Sequence, residues 1–167
     1  MTLPFKKSIY TLLIILVFGA CYNFKGIVIP PDLKTYKVED TTSAVIDVPI
    51  DLAQLFSERL RRKIREESRL VNDNTDPDIV YAAEISGFKV TYLAPDENNT
   101  TSLNRLEIRF KITYTNNNNE EDNWTKSYND FEDFDSNTDF QSIQDGLIEE
   151  IIEDVVERVF NDSFTNW

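Results

Sequence analysis

Leu103-Asn104-Arg105-Leu106-Glu107-Ile108-Arg109-Phe110-Lys111-Ile112-Thr113-Tyr114-Thr115 alternates between apolar and polar side chains along almost its whole length. Leu106, Ile108, Phe110, Ile112 and Tyr114 fall on one side. Arg105, Glu107, Arg109, Lys111 and Thr113 fall on the other. Successive side chains of a strand point to opposite faces, so this period of two specifies a strand with one buried and one wet face. Antiparallel sheets expose one face in this way. The buried face needs an apolar cover, which the rest of the chain has to supply.

On the N-terminal side of this strand, Ile79 to Leu93 reads as a long strand. Ile79, Tyr81, Ala83, Ile85, Gly87, Lys89 and Thr91 are expected on one face, and Val80, Ala82, Phe88, Val90 and Tyr92 on the other. A strand of this length usually bends or bulges, and Gly87 is the natural place. Pro95 to Ser102 is a polar turn. Asn116 to Asp122 reads as a hairpin tip, after which Trp124, Lys126 and Tyr128 alternate with Thr125, Ser127 and Asn129 as a returning strand. A fourth strand is expected at Lys34 to Glu39, with Tyr36 and Val38 on its buried face. Ala44 to Val48 fits either a strand continuation or a loop. Asn72 to Pro77 has the chemistry of a turn.

Two amphipathic helices can supply the cover. The first is expected from Asp51 to Arg69, with Asp51 and Gln54 as a capping box and Leu52, Phe56, Leu60 and Ile64 as its stripe. In the second, Thr138 and Gln141 form a similar box ahead of Phe140, Ile143, Leu147, Ile151, Val155 and Val159. Ile148, Ile152, Val156 and Phe160 widen that face, opposite Glu149, Glu150, Glu153, Asp154 and Glu157. Asn161 to Trp167 is expected as a tail exposing Phe164 and Trp167. The fold class that follows is α+β: a two-layer sandwich with both helices on one face of a roughly four-stranded, mostly antiparallel sheet.

The N-terminus has a different character. Lys6-Lys7, an apolar run from Ile9 to Phe18, then Gly19-Ala20 and Cys21 form a secretory signal ending at the only cysteine. The run is shorter than the roughly 20 apolar residues that span a bilayer. Residues 1–20 are therefore expected to be a lipoprotein signal peptide, and 21–167 a single periplasmic domain with lipidated Cys21. The competing reading is an ordinary signal cut near Ala20, leaving a spare thiol. Removing Lys6 and Lys7 leaves 15 of the 17 basic residues against 30 acidic ones, a net charge near −15. Such a chain repels nucleic acid, and any anion binding must come from a local basic patch. With no His and the one Cys assigned to the anchor, disulfides, His/Cys metal sites, Cys nucleophiles and His-based triads are excluded.

This order of elements behind Cys21-Tyr22-Asn23-Phe24-Lys25-Gly26 and Ile29-Pro30 resembles the lipopolysaccharide-assembly lipoprotein family LptE. The resemblance is carried by the helix with Leu60 and Ile64, the Asp78 to Gly87 strand entry and the Leu106 to Tyr114 strand. Trp124 and the Ile143 to Phe160 helix complete it. It is a pattern of order and spacing over nearly the whole mature chain. A Gly commonly follows the Cys in this family, and here Tyr22 stands in its place. The resemblance implies an outer-membrane lipoprotein on the periplasmic side, inside the lumen of an LptD-like β-barrel. There it would plug and assemble the barrel and contact lipopolysaccharide, with no reaction to catalyse and no cofactor. The alternative is a periplasm-facing lipoprotein subunit, or a ligand-binding module, of another envelope complex.

Two cationic sets are candidates for lipopolysaccharide contact. Arg59, Arg61, Arg62, Lys63, Arg65 and Arg69 crowd the first helix, with Arg61 and Arg65 the pair taken forward. Guanidinium groups there can hold phosphates bidentately; the bland alternative is a solvated face with pairs such as Glu58–Arg62. Arg105, Arg109 and Lys111 share the wet strand face, against a bland reading in which Glu107 partners both arginines. The strand set is favoured, because a sheet holds cations more rigidly than a helix of long side chains. Asp130, Glu132, Asp133, Asp135 and Asp139 form an acidic stretch, but the Gly of a calcium-binding EF-hand loop is missing, and no metal site is assigned.

Overall fold

The computed structural model describes residues 29–94 and 102–164. The expected signal peptide, Cys21, most of the Pro95 to Ser102 turn and Trp167 lie outside the described residues. The elements are β1 (Thr35–Val38), β2 (Thr42–Ser43), α1 (Leu52–Glu67), β3 (Val71–Asn72), β4 (Ile79–Leu93), β5 (Leu103–Asn116), β6 (Trp124–Asp135) and α2 (Phe140–Phe164). A short 3-10 turn, Glu120–Asp122, lies inside the β5–β6 connection.

The class is α+β, and the helices lie on one face of the sheet. Phe56 of α1 stacks on Phe110 of β5, and Phe140 of α2 on Phe134 of β6. The sheet has six strands, not roughly four, and it is mixed. Its order is β3-β1-β4-β5-β6, with β2 also against β4. β4, β5 and β6 form the antiparallel meander, while β1 pairs parallel with β3 and β4, and β2 with β4. The α1 crossover makes this necessary, because a chain that leaves one end of a strand and returns through a helix re-enters the sheet parallel. The two additional strands have two residues each, too short for any periodicity to announce.

Ala44 to Val48 is a loop. Ser43 Oγ donates to the Val45 carbonyl at 2.8 Å and accepts the Val45 N–H at 3.2 Å, which turns the chain away from β4. The Asp51 capping box does not form; the Asp51 side chain makes no cap hydrogen bond. α2 starts at Phe140, and Thr138 instead donates its N–H to the Asp135 carbonyl in a turn. β6 runs past Asn129 to Asp135, so much of the acidic stretch is strand. Phe164 is not in an exposed tail but in the last turn of α2, fully buried against Phe160.

The bulge falls where expected, between Ile85 and Gly87. Ile85 pairs with Phe110, but Gly87 pairs with Arg109, so one residue is absorbed and the faces exchange. Beyond it Phe88 lies opposite Ile108 and Val90 opposite Leu106, on the helix-facing side with Ile85. The sequence assignment of faces therefore holds only as far as Ile85. Glycine suits the position because a Cβ there would stand 3.2 Å from Arg109 Cβ.

The core lies between the sheet and the helices. Leu106, Ile108, Phe110 and Ile112 from β5, Leu60 and Ile64 from α1, and Ile151, Val155 and Val159 from α2 are all at zero exposure. Glu149, Glu150, Glu153, Asp154 and Glu157 of α2 face solvent.

Candidate functional site

The outer face of the sheet, away from the helices, is uncovered among the described residues, and it is tiled rather than uniformly positive. Arg105 lies across from Asp133 and donates to both of its oxygens, Nε at 2.6 Å and Nη2 at 2.8 Å. The guanidinium also stacks on Phe131, 3.6 Å from the ring centre. The hydrogen bonds from Arg105, with its positive charge, hold the Asp133 carboxyl below its ordinary range. Arg109 donates to Glu107 at 3.1 Å, and Lys111 lies opposite Glu84 of β4 in register. The three cations expected to form an anion platform are thus on one face, as placed from the sequence, but two of them are engaged by neighbouring acids. The rigidity of the sheet fixes those pairs.

The cations of α1 divide in the same way. Arg61 reaches Asp40 at 2.8 Å and the Val38 carbonyl at 2.9 Å, bracing the helix on β1. Arg59 pairs with Glu149 of α2 at 2.9 Å. Lys63 bonds Glu67 and Glu157; burial alone lowers its pKa, but the two carboxylates outweigh this and leave it raised. Arg69 donates to the carbonyls of Ile29 and Pro30 at 3.1 and 2.8 Å, clamping the segment that enters the domain. The expected Glu58–Arg62 pair is not formed; Glu58 accepts from Gln54 at 2.7 Å. Arg62 and Arg65 are exposed and make no ion pair among the described residues. They border a shallow groove of about 430 Å³ with Leu55, Glu58, Arg59 and Arg61.

The acidic stretch is divided by the strand. Asp130 and Glu132 point toward α2, and Asp133 and Asp135 point outward. Arg158 of α2 binds Asp130 at 2.6 Å. Burial, with Glu150, Asp130, Asp154 and Asp133 around it, raises the Glu132 pKa. Among the described residues no cluster of three acidic, Cys or His side chains is arranged to hold a metal ion. No described helix is long and apolar enough to cross a membrane.

The family model described as lipopolysaccharide-assembly, LptE, matches residues 33–163, which takes in the whole sheet and both helices except the last residue of α2. The chain belongs to the LptE family. No curated protein matches the sequence significantly. Solved structures of distant sequence share the LptE-family fold seen here. The rare lipoprotein B from Shewanella oneidensis superposes with a TM-score of 0.51 at 12% identity, over 75% of this chain and 91% of that one. The lipoprotein B from Nitrosomonas europaea gives 0.51 at 12% identity, over 81% and 83%. A protein from Xanthomonas campestris gives 0.53 at 10% identity, over 83% and 90%.

One polar centre of this LptE-family domain was not legible as a site in the sequence. Asp78, at the entry to β4, accepts the Lys34 N–H at 2.7 Å, the Thr35 N–H at 2.9 Å and Asn118 Nδ2 at 3.0 Å. Its own N–H donates to Thr35 Oγ1 at 2.9 Å. The Lys34 amide above all, then Asn118 and Thr35, outweigh the partial burial and hold its pKa down to about 2. The Pro77-Asp78 dipeptide is turn chemistry, but its partners lie 43–44 and 40 residues away, beyond the reach of local pattern.

Proposed function

We propose that this chain is an outer-membrane lipoprotein, anchored on the periplasmic side through Cys21, that plugs and assembles an LptD-like β-barrel and contacts lipopolysaccharide during its insertion in the outer leaflet. The observation that carries the reading is the family match across the entire folded core. The open sheet face supports it. A plug must present a wettable surface to a polar lumen, and Arg105, Glu107, Arg109, Lys111 and Asp133 give that face alternating charge. The pairs that neutralise the strand cations move the preferred anion contact to the α1 rim. There Arg62 and Arg65 sit at i,i+3 with free guanidinium groups, and they suit phosphate in a domain that otherwise repels polyanions.

Two experiments test this. Mild detergent extraction and purification of the full chain is expected to bring down a large outer-membrane barrel in a fixed ratio; purification of the chain alone from intact envelopes overturns the plug reading. For ligand contact, the Arg62→Glu/Arg65→Glu variant is expected to weaken binding to purified lipopolysaccharide by roughly tenfold or more, with the unfolding temperature nearly unchanged. Arg109→Glu/Lys111→Glu is expected to have the smaller effect. Equal binding by wild type and both variants assigns lipopolysaccharide contact to the barrel alone.

A further inference from the structure

The two long edges of the meander differ in how they are protected. Exposed strand edges present unpaired N–H and C=O groups, and proteins blunt them with inward-pointing charges or by covering them. β6 has both devices. Lys126, Asp130 and Glu132 point inward, Lys126 is bound to Asp162 of α2 at 2.8 Å, and Arg158 Nη2 donates to the Asn129 main-chain carbonyl at 3.3 Å.

The outer edge of β4 has neither over its second half. β1 covers it at Ile79–Tyr81 and β2 at Glu84–Ile85, after which the Ser43–Val45 turn leads the chain away. Gly87 to Leu93 pairs without interruption with β5 on one side, and with nothing among the described residues on the other. Along this free edge the helix-facing side chains are Phe88, Val90 and Tyr92, and the last two are 41% and 59% exposed. The outward ones are Lys89 and Thr91. Lys89 lies opposite Glu107, which is already taken by Arg109, and it has no ion pair among the described residues.

From this asymmetry we propose that Gly87–Leu93 is a β-augmentation site, completed by an extended segment of a partner protein. Main-chain complementarity makes the occupant a strand. The exposed side chains set its pattern: apolar residues on the helix-facing side, covering Val90 and Tyr92, and polar residues between them with an acid beside Lys89. A second copy of this chain is disfavoured, because two copies each carrying a net charge of −13 repel one another. The proposal does not depend on which barrel or envelope complex the lipoprotein serves.

The test uses the full-length chain and a short fluorescent synthetic peptide that alternates valine with threonine around a central glutamate, with a proline-interrupted version as control. The valine peptide is expected to bind saturably and to slow amide hydrogen exchange at Gly87–Leu93, and the proline version is expected not to bind. Val90→Lys and Tyr92→Lys, both at surface positions, are each expected to reduce affinity by about tenfold or more without moving the unfolding midpoint. Absence of binding, equal binding by both variants, or protection at Trp124–Asp135 instead overturns the proposal. A concentration-dependent dimer that Val90→Lys disperses overturns it in favour of self-pairing.

Discussion

Asp78 joins three parts of the chain that are remote in sequence: the start of β1, the start of β4 and the β5–β6 tip. Its depressed pKa fixes the sign of a pH effect. A carboxylate whose folded pKa lies below its unfolded value stabilises the fold above the unfolded pKa, and that contribution is lost as pH falls through the folded one. The Asp78 contribution is therefore complete above about pH 5 and disappears between about pH 4 and pH 2. Asp78→Asn is expected to cost on the order of 1–2 kcal/mol at neutral pH, allowing for its partial exposure. The cost should shrink toward zero by pH 2, which urea unfolding at stepped pH will show; a pH-independent cost would mean that shape rather than charge matters. Tyr81 presents the opposite case. Its hydroxyl is enclosed and has no partner in hydrogen-bonding geometry among the described residues. The nearby Ser163 hydroxyl donates instead to the Val159 carbonyl, and burial pushes the Tyr81 pKa well above the ordinary phenol value, only partly offset by Ser163. The ring contact with Tyr114 does not need that oxygen. Tyr81→Phe is accordingly expected to be neutral or to stabilise by about 1 kcal/mol, measured by the same unfolding assay. A loss of 1 kcal/mol or more would reveal a hidden partner.

At the scale of elements, what could be read in advance follows the physics of each signal. β5 and the two helices were legible because a single period runs unbroken along each, and burial enforces it at Leu106 to Tyr114 and at Ile151, Val155 and Val159. β4 was legible as a strand and as a bulged one, but its faces beyond Gly87 were not, since one absorbed residue inverts every later side chain. β2 and β3 exist only through pairing, and the continuation of β6 to Asp135 was masked by acids that its neighbours, Arg105 and Arg158, accommodate. The same reason limits the candidate site. Sequence periodicity puts Arg105, Arg109 and Lys111 on one face but says nothing of Asp133 across the strand. The strongest element-level statement concerns α2: Ile151 is at zero exposure in the middle of the core stripe. Ile151→Ala is expected to cost about 2–5 kcal/mol, a large share of the 5–15 typical of a domain. A change within about 0.5 kcal/mol in chemical unfolding would place the helix on the surface.

For the whole molecule, charge and attachment act together. The domain is strongly acidic, so the electrostatic attraction to anionic lipids that helps many peripheral proteins is reversed in sign here. On the proposed reading, membrane residence rests on acyl chains, each buried methylene contributing about 0.8 kcal/mol, or on a barrel partner. The entry to the domain is firm: Arg69 holds the carbonyls of Ile29 and Pro30. Seven residues lie between Cys21 and Ile29, so the eight steps of chain reach at most about 28 Å, and an anchor at Cys21 would keep the domain close to the bilayer surface. If acyl chains provide the hold, as proposed, a high-salt wash is expected to leave the wild-type chain in the membrane fraction. Cys21→Ser, expressed without the proposed barrel partner, is expected to leave the domain soluble or retained with its uncleaved signal. Metabolic labelling with a fatty acid checks the anchor, since label should enter wild type and not the variant, and the size of the variant chain tells a cleaved, soluble domain from one that keeps its signal. An unlabelled Cys21→Ser chain that is cleaved near Ala20 yet still sediments with membranes in the absence of the barrel would remove the lipid anchor from the account and assign membrane binding to the domain itself.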